Sequence, residues 1–291
     1  MLGLAIARDQ RDELPVRTNV DETTVAGFGE EWQRFDQSGT TPEELAEVFQ
    51  QYFGIFPWSS LPTAAVGADC GCGSGRWARL VAPRVGRLHL VDAAAEALDV
   101  ARRNLADATN CSFYEATVDE APIADGSLDF GYSLGVLHHI PDTAAAMAAC
   151  VRKLKPGATF LIYLYYRFDN RPAWYAALWP ASELARRTVS RLPHAARHVV
   201  SDLFAAGLYW PLARGAKLAE QLGLSVEAFP LSYYRDRSSY VMRNDALDRL
   251  GTQLEQRFTR SEIGDMMKGA GLVEIEFSDS MPFWCAVGRR R

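Results

Sequence analysis

Three closely spaced glycines follow an apolar stretch near position 70, and they constrain the fold more than any other feature of the chain. Residues 69–75 read Asp-Cys-Gly-Cys-Gly-Ser-Gly, and Asp92 stands further on. Glycines at this spacing let a strand turn tightly into a helix and let a ligand lie against the bare backbone. In a doubly wound α/β sheet, an acid at the end of the second strand hydrogen-bonds the hydroxyls of an adenosine ribose. The pattern therefore predicts an adenosine-containing cofactor.

Two cofactor classes compete for this loop. Dinucleotide sites use G-x-G-x-x-G, because the pyrophosphate must sit on a helix N-terminus. Here the spacing is G-x-G-x-G, and Arg76 stands at the next position. The Asp69 carboxylate would repel a pyrophosphate but can hold the ammonium group of an amino acid. S-adenosylmethionine has that ammonium group and no phosphate, so the sequence favours it over a nicotinamide cofactor.

Apolar strands and amphipathic helices alternate through the middle of the chain. This alternation predicts a parallel sheet with right-handed crossovers. We expect strands at 65–70, 87–92, 111–116, 128–133 and 159–165, with helices starting at Arg76 and spanning 95–106 and 144–154. An earlier helix is expected from Pro42, with Thr41 as its N-cap.

Six segments match, in order, the motifs of one enzyme family. They read ADCGCGSG at 68–75, HLVD at 89–92, APIADGSLDF at 121–130, SLGVLHHI at 133–140, LKPGATF at 154–160, and a final helix and turn at 257–272. The chain resembles the class I S-adenosylmethionine-dependent methyltransferases of the small-molecule type. The resemblance implies an α/β fold: a Rossmann-like doubly wound sheet of seven strands, mostly parallel, with a reversed C-terminal strand.

The resemblance also implies a role for each residue of the cofactor site. Asp69 and the glycines Gly71, Gly73 and Gly75 would hold the methionine end, and Asp92 would hold the ribose. Thr117 and Val118 would contact the adenine, although many relatives carry an acid where this chain has Thr117. A threonine hydroxyl accepts a weaker hydrogen bond than a carboxylate does. Ser133 and Leu134 would line the edge where the reaction takes place.

The activity implied is methyl transfer to oxygen, nitrogen or carbon of a small molecule by in-line displacement, releasing S-adenosylhomocysteine. His138 and His139 follow the fourth strand and are the candidate bases, because histidine titrates near neutral pH. The alternative is that they only shape their loop. Fold does not fix function, so a non-methylating protein that kept the cofactor site, as a scaffold, regulator or rearrangement catalyst, is the rival hypothesis.

The chain divides into three parts on this interpretation. Residues 1–62 form an N-terminal helical arm that either covers the cofactor as a lid or packs as core, and 63–166 with 256–291 form the core. Residues 167–255 form a helical insertion rich in aromatic residues. We expect it to be a substrate cap for a bulky or partly apolar acceptor. A homodimer contact, or a membrane surface carrying Arg186, Arg187, Arg191 and Arg197, is the alternative.

Two further clusters leave their roles open. Residues 233–237 read Tyr-Tyr-Arg-Asp-Arg, followed by Tyr240 and Arg243; they can bind an anionic or sugar-like acceptor or simply form a linker. Asp169-Asn170 is reminiscent of metal-dependent catechol methyltransferases, but the acid which those enzymes need after strand four is missing. Cys70 and Cys72 are too close for a usual zinc pair. We therefore expect no metal.

Composition excludes several other classes. The net charge of −5 comes without a long basic run, which argues against a nucleic-acid partner. No apolar run reaches transmembrane length, and the charged N-terminus resembles no secretion signal. An odd count of 5 cysteines suits a reducing compartment, so a cytoplasmic location is expected.

Overall fold

A computed structural model describes residues 19–172, 174, 179–226 and 229–291, and a seven-stranded sheet forms its centre. The strand order is β3-β2-β1-β4-β5-β7-β6, with the first five strands parallel and β7 antiparallel to both of its neighbours. The predicted doubly wound sheet with a reversed C-terminal strand is confirmed. The strands are β1 Val66–Cys70, β2 Arg87–Asp92, β3 Cys111–Glu115, β4 Leu128–Leu134, β5 Leu154–Tyr163, β6 Leu272–Phe277 and β7 Cys285–Arg290.

Ten α-helices are seen within the described ranges. They are α1 Glu22–Arg34, α2 Pro42–Phe53, α3 Ala78–Val81, α4 Ala95–Asn104, α5 Thr143–Lys153, α6 Trp179–Val189, α7 His194–Phe204, α8 Trp210–Gln221, α9 Ser239–Gly251 and α10 Arg260–Gly269. Helix α2 begins where the sequence predicts, since Thr41 accepts a hydrogen bond from the Glu44 amide (3.2 Å). The helix expected from Arg76 starts later than predicted: α3 begins at Ala78 and tightens into a 3₁₀ turn at Ala82.

Apolar side chains cover both faces of the sheet, as parallel sheets require. One face packs against α5 and α10 through Met147 and Met267, and the opposite face packs against α2, α3 and α4 through Phe53, Val81 and Leu98. All five of these side chains are at most 1 % exposed. Strand β5 starts earlier than the predicted position 159, because Leu154 already pairs with Leu128 before a shift in register.

The stretch expected to be an insertion is helical throughout its regular described part, and it has a small core of its own. Ala205, Tyr209, Ala213, Met242 and Ala246 form that core between α7, α8 and α9. No helix among the described residues is long and apolar enough to cross a membrane.

Two of the arginines that suggested a membrane surface are buried instead. The Arg186 guanidinium donates to the carbonyls of Thr252 (2.7 Å) and Gln253 (2.8 Å), and that of Arg197 donates to the Gly251 carbonyl (3.0 Å). Both side chains therefore satisfy carbonyls at and beyond the C-terminus of α9, where cations are favourable. They hold the helices of the insertion together.

Candidate active site

The glycine loop leaves β1 at the carboxyl end of the sheet. Gly71 and Gly73 have φ angles of +85° and +50°, a region that side chains with a Cβ rarely adopt. The amides of Gly71 and Cys72 both donate to the Val91 carbonyl, at 2.8 and 3.0 Å. A Cβ on Gly73 would lie 2.8 Å from the indole of Trp32, so glycine is required there by space as well as by conformation.

Asp92 binds the glycine loop to the end of β2. Its two carboxylate oxygens accept hydrogen bonds from the Gly73 amide (2.8 Å) and the Ala94 amide (2.9 Å). Burial raises the pKa of Asp92, and the backbone amides counteract that rise. A carboxylate has about four acceptor positions, so Asp92 can still accept the hydroxyls of a ribose while it holds the loop.

Asp69 lies beneath the loop and not on the wall of the cleft. Its side chain is 1 % exposed, and neither carboxylate oxygen has a hydrogen-bond partner. Burial raises the pKa of Asp69 well above its usual range, with the Tyr132 hydroxyl beside it acting in the opposite direction. An orphaned buried carboxyl group is costly, and an ammonium group nearby would relieve that cost. This fits the methionine end of S-adenosylmethionine.

The loops after β1 to β4 enclose a cleft of about 900 Å³, counted to its open mouth. Thr117, Val118 and Leu134 line it as expected, and the Thr117 hydroxyl donates to Glu120 (3.2 Å). Ser133 does not line the cleft: it is fully buried and donates to the Cys70 carbonyl (2.7 Å). Successive residues of a strand point to opposite faces, so Leu134 and Ser133 cannot both face the ligand.

Helix α1 closes one side of the cleft. Val25, Phe28 and Trp32 line it, and the helix start is held by a pair of hydrogen bonds between the Asn19 side chain and the Asp142 backbone (2.8 and 2.9 Å). The sequence left open whether the arm covers the cofactor or packs as core. In the structure Trp32 faces the cleft, whereas Phe53 is a core residue with 1 % exposure.

His139 lines the cleft, and one of its ring nitrogens is already hydrogen-bonded. Its Nδ1 lies 2.7 Å from the Leu254 carbonyl oxygen. A carbonyl only accepts, so Nδ1 carries the hydrogen and the neutral ring leaves a lone pair on Nε2. Nε2 has no hydrogen-bond partner, although His139 is only 4 % exposed to solvent. The carboxylate oxygen Oδ1 of Asp248 lies 4.0 Å from Nε2.

His138 has a different environment from its neighbour. It is fully buried, its ring stacks on Tyr165 with centroids 3.9 Å apart, and it does not line the cleft. Burial, the adjacent His139 and Arg257 lower the pKa of His138 well below its usual range. His138 is therefore a neutral packing residue, and of the pair only His139 lines the cleft.

A row of aromatic rings runs from the glycine loop to these histidines. Ring centroids are 4.8 Å apart for Trp77 and Tyr52, 5.2 Å for Tyr52 and Tyr163, and 5.9 Å for Tyr163 and Tyr165. Burial raises the pKa of the three tyrosines well above 10. Their hydroxyls are therefore neutral hydrogen-bonding groups beside an apolar wall. We call this row the aromatic wall.

Three largely buried carboxyl groups interact with one another on helices that sequence reasoning did not connect to the site, and one of them, Asp248, accepts from the Tyr165 hydroxyl of the aromatic wall. Asp245 and Asp248 lie on α9, and Glu31 on α1 accepts a hydrogen bond from Asn244 (2.6 Å). Burial raises the pKa of all three, for Asp245 to about 6. The only local signal was the D-x-x-D spacing on α9, which places both carboxyls on one helix face.

The cluster at 233–243 mostly binds the insertion to the N-terminal arm. Arg237 is 3 % exposed and pairs with Glu47 (3.1 Å), and the Tyr240 hydroxyl accepts from the Gln37 amide (2.8 Å). Arg235 pairs with Glu220 and Arg243 with Asp202, both at 2.9 Å. Burial raises the pKa of Tyr233 to about 12. The cluster is thus packed, and neither a solvated linker nor an open anion site.

Asp169 has a structural role. Its carboxylate oxygens accept from the Trp284 indole (2.8 Å) and from the Arg260 amide (2.9 Å) at the start of α10. Within the described ranges, no group of three or more His, Cys, Asp or Glu side chains is arranged to hold a metal ion.

Comparisons with known proteins identify the family. A family profile described as a methyltransferase domain matches residues 68–162. The ubiquinone biosynthesis O-methyltransferase of Sodalis glossinidius is 30 % identical over 60 % of this chain and 71 % of its own length. The enzyme of the same name from Thiobacillus denitrificans is 30 % identical over 54 % of this chain and 66 % of its own length.

Solved structures share the fold. A chain from the complex between the Haloferax volcanii Trm112 methyltransferase activator and a methyltransferase superposes with a TM-score of 0.51, at 16 % identity, covering 90 % of this chain and 96 % of that one. The resemblance inferred from the motifs is confirmed, and with it S-adenosylmethionine as the cofactor and methyl transfer to a small molecule as the activity. The chain belongs to the class I S-adenosylmethionine-dependent methyltransferases.

Proposed function

We propose that this methyltransferase methylates a hydroxyl oxygen on a small aromatic acceptor and that His139 is the base. The observation that carries the proposal is the free Nε2 of His139: it is buried, it has no partner, and its tautomer is set by Leu254. A neutral imidazole held in this way accepts a proton and donates none through Nε2. Oxygen is supported as the methylated atom by the O-methyltransferases among the relatives.

The residues around the cleft fit the cofactor in a defined order. Asp69 would hold the ammonium group, with Gly71 and Gly73 against the methionine backbone, and Asp92 would hold the ribose. Thr117 and Val118 would face the adenine and Leu134 the sulfur. The bound cofactor supplies an activated methyl group: the sulfur–carbon bond breaks with its electron pair on sulfur as the acceptor oxygen bonds to carbon.

His139 takes the hydroxyl proton in this scheme. Removal of that proton makes the oxygen a better nucleophile, and proton transfer of this kind contributes about 10²- to 10⁴-fold in rate. The site further accelerates the reaction by aligning the acceptor oxygen with the methyl group and by excluding water. Phe28 supports both, since its ring packs edge-on against His139 at a centroid distance of 4.9 Å.

The aromatic wall supports an aromatic acceptor. Phe28, Trp32 and Trp77 line the cleft, and the rings of Tyr52, Tyr163 and Tyr165 continue the row behind Trp77 towards the histidines. Aromatic side chains favour flat apolar partners at ring distances of about 4.5–7 Å. A bulky or partly apolar acceptor, held between the sheet edge and the insertion, would fit this aromatic lining.

Turnover with a panel of acceptors tests the proposal. The panel contains matched phenols, catechols, anilines and aliphatic amines, and release of S-adenosylhomocysteine is measured with wild type and with His139→Gln. We expect turnover on hydroxyl acceptors, and loss of about 10²- to 10⁴-fold in kcat for the variant. Calorimetric titration of His139→Gln with S-adenosylmethionine should give the same affinity as wild type, because His139 is not needed to hold the cofactor.

A matched histidine on the sheet serves as control. His89 lies on β2, and its ring contacts Tyr114 away from the cleft. His89→Gln should keep full activity. Wild-type rates for His139→Gln, or turnover of amines alone, would overturn the assignment of base and of methylated atom respectively.

Homodimer formation and a cytoplasmic location belong to the same proposal. The large exposed apolar side chains among the described residues all lie between Trp174 and Phe229, which supports a contact surface on the insertion. Sedimentation velocity over a range of protein concentrations measures the oligomeric state. A monomer at all concentrations would contradict the homodimer.

A further inference from the structure

Asp248 of the insertion helix α9 lies directly across from the free nitrogen of His139. Oδ1 of Asp248 is 4.0 Å from Nε2, which is too long for a hydrogen bond but close for two charges. Its other oxygen, Oδ2, accepts a hydrogen bond from the Tyr165 hydroxyl. The carboxylate is thus held by a residue that follows β5 and is aimed at a histidine that follows β4.

We infer that Asp248 is a positioning residue: it stabilises His139 once His139 has taken the acceptor's proton, so that the insertion supplies part of the active site. The inference rests on the proposed function of His139. Before transfer, Nε2 carries a lone pair and Asp248 a negative charge, and the two do not bond. After transfer Nε2 carries the proton and faces a carboxylate, an interaction which exists only in the charged state.

The groups around Asp248 allow its carboxylate to carry the negative charge that this role requires. His139, Tyr165, Glu255 and Arg249 face it most closely. Glu255 is already paired with Arg257 at 2.8 Å. Burial raises the pKa of Asp248, whereas His139, the Tyr165 hydroxyl and Arg249 lower it. Glu31 and Asp245 also interact with Asp248 through their charges and add to the negative potential there.

A purely structural role accounts poorly for this carboxylate. The Thr252 hydroxyl donates to the Asp248 carbonyl at 2.7 Å and lies 3.5 Å from Oδ1, so the helix end is held chiefly by the backbone. A neutral asparagine would fill the same volume without the cost of burying a charge. The Tyr165 hydroxyl and Arg249 offset part of that cost, and the charged form of His139 would offset more of it.

The test compares Asp248→Asn, His139→Gln and the double variant, each titrated with S-adenosylmethionine to establish that the cleft is intact. We expect Asp248→Asn to lower kcat on a hydroxyl acceptor roughly 10- to 100-fold. The acidic limb of the kcat/KM profile should move to lower pH by about one unit, because a negative charge that favours protonation of the base is gone. In the His139→Gln background, Asp248→Asn should have almost no further effect.

Two more variants make each outcome decisive. Asp248→Glu keeps the charge and should retain more activity than Asp248→Asn, with the acidic limb near the wild-type position. Asp202→Asn is the control, since Asp202 binds α7 to Arg34 and Arg243 and does not touch His139. It should leave the acidic limb unmoved.

The outcomes separate this inference from the proposed function. An active His139→Gln variant overturns both. An impaired His139→Gln combined with an unmoved acidic limb in Asp248→Asn overturns only the role of Asp248. The same holds if the effects of the two substitutions multiply in the double variant, or if Asp248→Glu behaves like Asp248→Asn.

Discussion

The two ends of the cleft, one of which we propose binds the cofactor and the other the acceptor, are built in opposite ways. At the cofactor end, one loop of three glycines and the nearby Asp92 make the site largely from backbone, with Asp92 bonded to Gly73 (2.8 Å). At the acceptor end, His139 is held by Leu254 and faces Asp248, and Glu31 bonds to Asn244 across 213 positions of sequence. A site made of local backbone is specified by a short motif, whereas a site made of distant side chains depends on how whole helices dock.

Gly73→Ala gives the largest expected effect, because it breaks the cofactor end at its most constrained position. A φ of +50° is strained for any side chain with a Cβ, and the new Cβ would lie 2.8 Å from Trp32. We expect the backbone strain and the clash with Trp32 to lower the affinity for S-adenosylmethionine by about 100-fold in total, as measured by calorimetry. Trp32→Ala in the same chain should recover part of the loss. No recovery would mean that the backbone strain alone sets the effect.

Asp92→Ala is expected to have the second-largest effect, a loss of about tenfold or more in affinity for S-adenosylmethionine. It removes charge-assisted hydrogen bonds worth roughly 1.5–3 kcal/mol to the ribose, and also the two that hold Gly73 and Ala94. The measurement is the affinity for S-adenosylmethionine and for adenosine. Asp92→Asn retains one acceptor oxygen and should lose less. An unchanged affinity in a folded Asp92→Ala variant would contradict the ribose assignment.

The contrast explains what the sequence could predict. The glycine loop, Asp92 and the sheet follow from local conformational rules. Gly71, Gly73 and Asp92 line the cleft, whereas Gly75, which was assigned to the cofactor with them, lies against Ala101 and Leu105. Ser133 was assigned to the cleft wrongly, because β4 turns it to the buried face, where it bonds to Cys70. The carboxyls of Glu31, Asp245 and Asp248 were missed, since nothing in a helix reveals which distant surface it will face. The alternative of a membrane surface carrying Arg186 and Arg197 arose for the same reason, whereas both side chains are buried.

Asp245→Asn probes the electrostatic cost stored at the acceptor end. Burial raises the pKa of Asp245 from its usual 3.8 to about 6. The folded protein therefore binds a proton more tightly than the unfolded chain does, and its stability falls as pH rises through that window. Above it, the variant should be more stable than wild type by about 1–3 kcal/mol in the free energy of unfolding. Below pH 4 Asp245 is mostly protonated in the folded and in the unfolded wild-type protein, so the stability advantage of the variant should disappear.

Urea denaturation at pH 4 and pH 8 checks this sign. Glu31→Gln should behave in the same direction, because burial also raises the pKa of Glu31. An advantage of equal size at both pH values would mean that packing, and not charge, is responsible.

Asp202→Asn should have the smallest effect. It tests whether a change at the acceptor end of the cleft leaves cofactor binding at the other end unaffected. Asp202 pairs with Arg34 of α1 at 2.5 Å and with Arg243 of α9 at 2.9 Å, with the side chains 24–45 % exposed. Ion pairs this accessible to water contribute about 0.2–1 kcal/mol and weaken with salt. We expect a loss of that size in the free energy of unfolding, smaller at 1 M than at 0.1 M salt. The same substitution should raise KM for the acceptor slightly while affinity for S-adenosylmethionine stays constant, because Asp202 joins α7 to α1 of the arm and to α9 of the insertion and makes no contact with the glycine loop. If cofactor affinity fell in parallel with acceptor KM, α1 would be transmitting the change through Trp32, and the two ends of the cleft would behave as one unit.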